Sequence, residues 1–296
     1  MLTRLQFQHT TISILFLTLI HACDNKRTTQ EASKNGVSEE MVIHYNVYGE
    51  SDTTLMFVHG WCIDQTYWDN QLPHFKNQYK IVAVDLAGHG KSGTNRKDWT
   101  VQNFSNDLIE IIKEQKLNNI ILIGHSMGGD VVLKTALELP DKVIGLIGID
   151  NFKEVDFEMD DEFKRGFNEF IEGFKSDYQG MAEQFAKNAL FVPESDSIIV
   201  KRVIKDIQKA NPAISLSILE NLLPIYEQED SRLEQLHIPL YLIASKELPT
   251  DTMALAKHCK KGYGIKLIDS VGHYPMVEKP DEFNQALREI LSEMDR

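Results

Sequence analysis

Two kinds of apolar pattern alternate along the chain. Short, nearly continuous apolar runs rich in β-branched residues recur at Thr54 to Val58, Lys80 to Val84, Ile120 to Ile123, Val143 to Ile149, Pro239 to Ala244 and Ile265 to Ile268. Runs of that length without polar alternation suit strands covered on both faces, as in a parallel sheet. Met41 to Tyr48 instead alternates apolar with polar and stops at Gly49, which fits an outer, antiparallel strand. Helix-forming stretches lie between the runs: Val101 to Gln115, Val131 to Leu139, Thr252 to Lys260 and, behind Pro280, Asp281 to Met294. Strands alternating with helices predict an α/β fold whose mostly parallel central sheet is flanked by helices. The functional groups of such a sheet collect at the carboxyl ends of its strands.

The alternation breaks at Asn151 to Leu236, which is helix-forming, acidic, rich in Phe and divided by Pro193, Pro212 and Pro224. We expect residues 151–236 to form a helical cap inserted into a core made of residues 41–150 and 237–296. Ahead of the core, Arg4, the short apolar run Thr11 to Ile20 and Ala22 read as a secretory signal over residues 1–22, too short to span a membrane confidently. Leu19-Ile20-His21-Ala22-Cys23 resembles a bacterial lipobox, with His21 an unusual occupant. That resemblance implies an exported, membrane-anchored lipoprotein acylated at Cys23, in either the inner or the outer membrane. Residues 23–40 are polar and are expected to be a disordered tether. Cys62 and Cys259 are expected to be unpaired.

The chain has 296 residues, 42% apolar and 25% charged, an ordinary globular balance, and a formal net charge of −13. That charge repels nucleic acid and anionic lipid, so no nucleic acid is expected as a partner, and membrane contact only through Cys23. No group of Cys and His has metal-ligand spacing, and neither metal nor organic cofactor is expected.

The chemistry concentrates at Gly124-His125-Ser126-Met127-Gly128, between an apolar strand and a helix-forming stretch. A serine hydroxyl is a weak nucleophile unless it is held exposed beside a base, with N–H donors aimed at the developing oxyanion. A sharp strand-to-helix turn supplies that exposure, and small residues two positions either side let the turn close. Three further segments stand in order around it: His59-Gly60-Trp61, Asp85-Leu86-Ala87-Gly88-His89-Gly90-Lys91-Ser92, and Gly272 to Pro280. Together the four segments resemble the α/β-hydrolase family over nearly all of residues 41–294, most closely its cap-bearing esterase branch.

The resemblance implies a Ser-His-acid hydrolase with Ser126 as nucleophile. Of ten histidines, His273 lies on a loop after the last strand, in the order expected of this fold, and is the candidate base. His125 adjoins the serine, but its side chain is expected to point away from it. The backbone N–H groups of Trp61 and Met127 are the candidate oxyanion donors. The family commonly places its acid on the loop after the penultimate strand, where this chain has Leu248 flanked by Glu247 and Asp251. Asp150, closing the preceding strand, is the alternative location and our choice; Glu247 and Asp251 remain candidates. The expected activity is cleavage of an ester or similar carbonyl substrate through an acyl-enzyme. The rivals are a slow-turnover ligand-binding or sensing lipoprotein on the same fold, and a carbon–carbon bond hydrolase or acyltransferase using the same triad. Phe152, Phe157, Phe163, Phe167, Phe170, Phe174 and Phe191 would suit an apolar or medium-sized small-molecule substrate, or pack as the cap's own core.

Overall fold

The computed structural model describes residues 41–294; the expected signal segment, Cys23 and the tether lie outside them. Seven strands form one sheet: β1 Tyr45–Tyr48, β2 Thr54–Val58, β3 Lys80–Val84, β4 Ile120–His125, β5 Val143–Ile149, β6 Leu240–Ser245 and β7 Tyr263–Ile268. Their order is β1-β3-β2-β4-β5-β6-β7, and every pairing is parallel except that of β1 with β3 at the edge. The sequence pattern explains this placement. β2 and β4 are buried along their whole length, as continuous apolar runs require, whereas the alternating β1 stands outermost.

Register then fixes where the loops emerge. Val58 pairs with Gly124, His125 with Ile149, and Ile149 with Ile243, so β2, β4, β5 and β6 end in one row. The segments beginning at His59, Ser126 and Asp150 leave the sheet side by side. Helices α1 Leu72–Phe75, α2 Val101–Glu114, α3 Met127–Glu138, α9 Thr252–His258, α10 Pro275–Glu278 and α11 Pro280–Met294 accompany the sheet, together with a 3-10 turn at Gln65–Trp68.

Between β5 and β6 the chain forms α4 Asp161–Ser176, α5 Tyr178–Phe185, a π-helical turn Ala186–Leu190, α6 Ser197–Lys209, α7 Pro212–Tyr226 and α8 Glu229–Glu234. Pro212 starts α7, where its missing N–H costs nothing. Pro224, expected to divide segments, instead lies inside the last turn of α7, where its missing N–H costs one intrahelical bond but little helix remains beyond it to be disturbed. Cys62 and Cys259 are buried free thiols. Among the described residues, no helix is long and apolar enough to cross a membrane.

Candidate active site

Ser126 sits at φ 52° and ψ −125°, a left-handed conformation that L side chains rarely adopt. Its N–H donates to the Ile149 carbonyl at 3.0 Å and its carbonyl accepts the Gly129 N–H at 2.7 Å, which pins the turn from β4 to α3 against β5. The flanking glycines follow from close packing. A Cβ at position 128 would meet the carbonyl oxygens of Val58 and His59 at 2.6 Å, and one at 124 would meet the Gly128 carbonyl oxygen at 2.3 Å. Ser126 alone is partly exposed while residues 120–125 and 127–133 around it are buried. The helix that begins at Met127 directs its positive end toward the turn. The loop after β2 presses against the same spot, since a Cβ at Gly60 would come within 3.1 Å of the Ser126 Cβ. The backbone at Trp61 therefore lies next to the turn, while its indole donates to the Ser215 carbonyl at 2.9 Å.

His273 is held at three points. Its N–H donates to the Leu190 carbonyl of the cap at 2.7 Å, its carbonyl accepts from His125 Nε2 at 2.8 Å, and its Nδ1 lies 2.6 Å from Asp150 Oδ2. An Nδ1–H donating to the carboxylate leaves Nε2 unprotonated and able to accept. The His125 ring, one residue from Ser126, packs against the His273 ring, with centroids 4.7 Å apart and planes tilted by 50°. Burial lowers the affinity of His273 for a proton; its bond to Asp150 opposes this, and the net shift is downward. Burial pushes the Asp150 carboxyl up, but the Lys153 ammonium and the His273 bond outweigh it and hold the group well below the usual carboxylate range.

The three candidate acids have different surroundings. Asp150 accepts from His273, from the Ser245 N–H at 2.9 Å and from Lys153 at 2.7 Å. Glu247 accepts the Ser270 N–H at 2.6 Å, and Asp251 caps α9 by accepting from the N–H groups of Met253 and Ala254. Sequence reasoning passed over Lys153 and gave the His125 ring no task. That ring holds the backbone of the candidate base, and burial keeps it neutral. Of the other glycine-flanked histidines, His59 bonds the Gly60 carbonyl and the Leu86 N–H, and His89 bonds the Ala87 carbonyl, so both serve the loops.

A cleft with a cavity volume of about 80 Å³ opens within the cap segment, lined by Phe157, Phe163, Phe167, Phe170 and Phe185, with Lys153, Glu154, Tyr226 and Glu229 as polar lining. Phe185 was not among the expected aromatic residues. It meets the Trp61 ring edge-on at 6.1 Å, so the cleft wall backs onto the loop beside Ser126. Phe152 and Phe174 are buried in the core instead, and Phe191 stacks on Tyr274.

The alpha/beta hydrolase fold family model matches residues 53–213. The chain belongs to that family. A karrikin insensitive 2 receptor of Petunia hybrida is 23% identical over 83% of this chain and 94% of its own. A pimeloyl-[acyl-carrier protein] methyl ester esterase of Yersinia enterocolitica is 28% identical over 82% of this chain and 95% of its own. Among solved structures, a thermophilic esterase from Thermogutta terrifontis superposes with a TM-score of 0.74 at 21% identity, covering 88% of this chain and 96% of that one.

Proposed function

We propose that the protein is a serine hydrolase that cleaves an ester or similar carbonyl substrate through a Ser126-His273-Asp150 triad. The observation that carries this reading is the 2.6 Å bond between His273 Nδ1 and a buried Asp150, beside a serine held in a strained turn. In the mechanism, Ser126 Oγ attacks the carbonyl carbon as its proton passes to His273 Nε2. The N–H groups of Met127 and Trp61 take up the negative charge on the carbonyl oxygen. Collapse of the tetrahedral adduct breaks the bond to the alkoxide, which leaves with the proton from His273. Water then attacks the acyl-enzyme by the same route and regenerates Ser126. Asp150 fixes the imidazole tautomer and offsets the charge it carries in passing.

The esterases among the relatives support this class of reaction, and the aromatic cleft supports an apolar acyl or alcohol portion. A burst of p-nitrophenol from a short-chain p-nitrophenyl ester, abolished in Ser126→Ala with the fold intact, is the expected result. A Ser126→Ala protein with near-full turnover would end the reading. The receptor among the relatives favours a second reading, in which hydrolysis is slow and the ligand is sensed. A burst followed by a very slow steady state distinguishes it.

The chain is further proposed to be exported and anchored by acylation at Cys23, on the strength of Leu19 to Cys23. Cys23→Ser is then expected to leave the membrane fraction and lose the mass of the acyl groups; unchanged fractionation and mass would exclude the anchor.

A further inference from the structure

The turn after β5 is left-handed twice, at Asp150 with φ 49° and at Phe152 with φ 52°. Neither residue is glycine, so the strain is sustained by what the turn holds in place. It folds the chain back so that Lys153 faces Asp150 three residues earlier. The Lys153 side chain is 2% exposed and the Asp150 side chain 0%, and Nζ lies 2.7 Å from Asp150 Oδ1. The same nitrogen donates to the Leu248 carbonyl at 2.5 Å, and the Lys153 carbonyl accepts the Asp251 N–H at 2.7 Å. Lys153 thus fastens the loop after β6 to the turn after β5, with its charge on the carboxylate oxygen opposite to the one that serves His273.

We infer that Lys153 is a positioning residue of the hydrolytic site, orienting the Asp150 carboxylate and restraining the basicity of His273 through the shared carboxylate. The inference rests on the reading of Asp150 and His273 as triad members.

Two physical arguments carry it. A carboxylate bonded only to His273 could rotate about its Cα–Cβ and Cβ–Cγ bonds. With Lys153 and the Ser245 N–H on Oδ1, its Oδ2 has one direction left, toward the imidazole. The second argument is electrostatic. An ammonium within a buried pair neutralises part of the negative charge that would otherwise stabilise an imidazolium, and its own field opposes protonation of the ring. The other titratable groups around His273 do not duplicate this. His125, packed from β4, is kept neutral by burial, and Tyr274 is a buried phenol whose proton is held tightly. Glu278 of α10 bonds the N–H groups of Gly272 and Tyr274, and any charge it carries has the opposite sign. Among the described side chains around His273, Lys153 is therefore the cation that lowers the pH at which His273 becomes a base.

The test compares Lys153→Gln and Lys153→Met with the unaltered full chain, through the pH dependence of kcat/KM on a p-nitrophenyl ester. In parallel, the His273 ring is titrated by NMR with carbon-13-labelled histidine in a Ser126→Ala background. Removing the ammonium is expected to raise the acid limb and the ring's titration midpoint by about one pH unit. The rise is expected in both variants, with Lys153→Arg returning toward the original midpoint. Gln can still donate to Leu248 and Asp150, so it carries the test if Lys153→Met does not fold. An acid limb and ring midpoint in Lys153→Gln that superpose on the original, whatever the fall in kcat, would overturn the inference and leave the triad standing. An Asp150→Asn protein with near-original turnover would overturn the triad and the inference with it.

Discussion

Ser126 is strained, and the strain is local and purposeful: a left-handed serine is tolerated because Ile149 and Gly129 bond both sides of its peptide. At this scale the sequence showed the residue types but not their partnerships. Ser126 and His273 were singled out as candidates from glycine-flanked loops. The candidate acid was left among three, because carboxylates near two strand ends are equivalent until distances separate them. The bond to His273 predicts that Asp150→Asn lowers kcat by on the order of 10³- to 10⁴-fold, through loss of the imidazole tautomer, and also lowers the melting temperature, because the buried Lys153 ammonium loses its counter-charge. Glu247→Gln is expected to stay within a few-fold of the original, since that carboxylate serves the Ser270 N–H. Steady-state kinetics on the two purified variants checks both. Lys153 and the bond from His125 to His273 were invisible beforehand. One is a lysine in a loop and the other a histidine in a strand, and nothing in their spacing signals a buried contact.

The strands were readable to within a few residues because continuous apolar runs leave little freedom in a doubly covered sheet. Helix α3 was read as starting at Val131, whereas it starts at Met127, since Gly128 and Gly129 disguise its first turn as a loop. The same helix carries Asp130, a buried carboxyl that raises the proton affinity of the buried Glu229 on α8, with Arg232 and Tyr226 in the same surroundings. Burial, then the neighbouring acid, raises the proton affinity of Glu229, and burial raises that of Asp130. Carboxyls with raised folded pKa values stabilise fully below the ordinary carboxylate range and lose that contribution as pH rises through the raised values. Glu229→Gln is accordingly expected to raise the melting temperature at about pH 8 and to lose that advantage near pH 4. Thermal denaturation at the two pH values measures it, and a variant that melts lower than the original at pH 8 would refute the raised proton affinity of this pair.

Across the whole molecule, the cap segment reaches into the chemistry from two sides. Leu190 holds the His273 N–H, while Arg202 of α6 lies 4.0 Å above the Tyr67 ring and Asp206 accepts the Tyr67 hydroxyl at 2.8 Å. Tyr67 in turn packs against Tyr274, so movement of α6 bears on the residue next to His273. The aromatic cleft belongs to this scale also, because its walls come from four cap helices and the turn after β5. Phe170 lies in its wall, 5.3 Å from Phe185. Phe170→Trp is expected to lower kcat/KM for long-chain p-nitrophenyl esters on the order of tenfold while sparing the acetate. Equal losses for both chain lengths would show that the cleft does not take the acyl chain.

What the chain determined by itself was its periodicity. Apolar runs of five or so residues commit to strands, and glycines two positions either side of a serine commit to a tight turn, because both demands are local. Which carboxylate meets the imidazole, and which lysine ties the loop after β6 to the turn after β5, depend on segments more than ninety residues apart being brought within hydrogen-bonding distance. Only the tertiary structure decides that, since pairing at such range is set by register and packing rather than by composition.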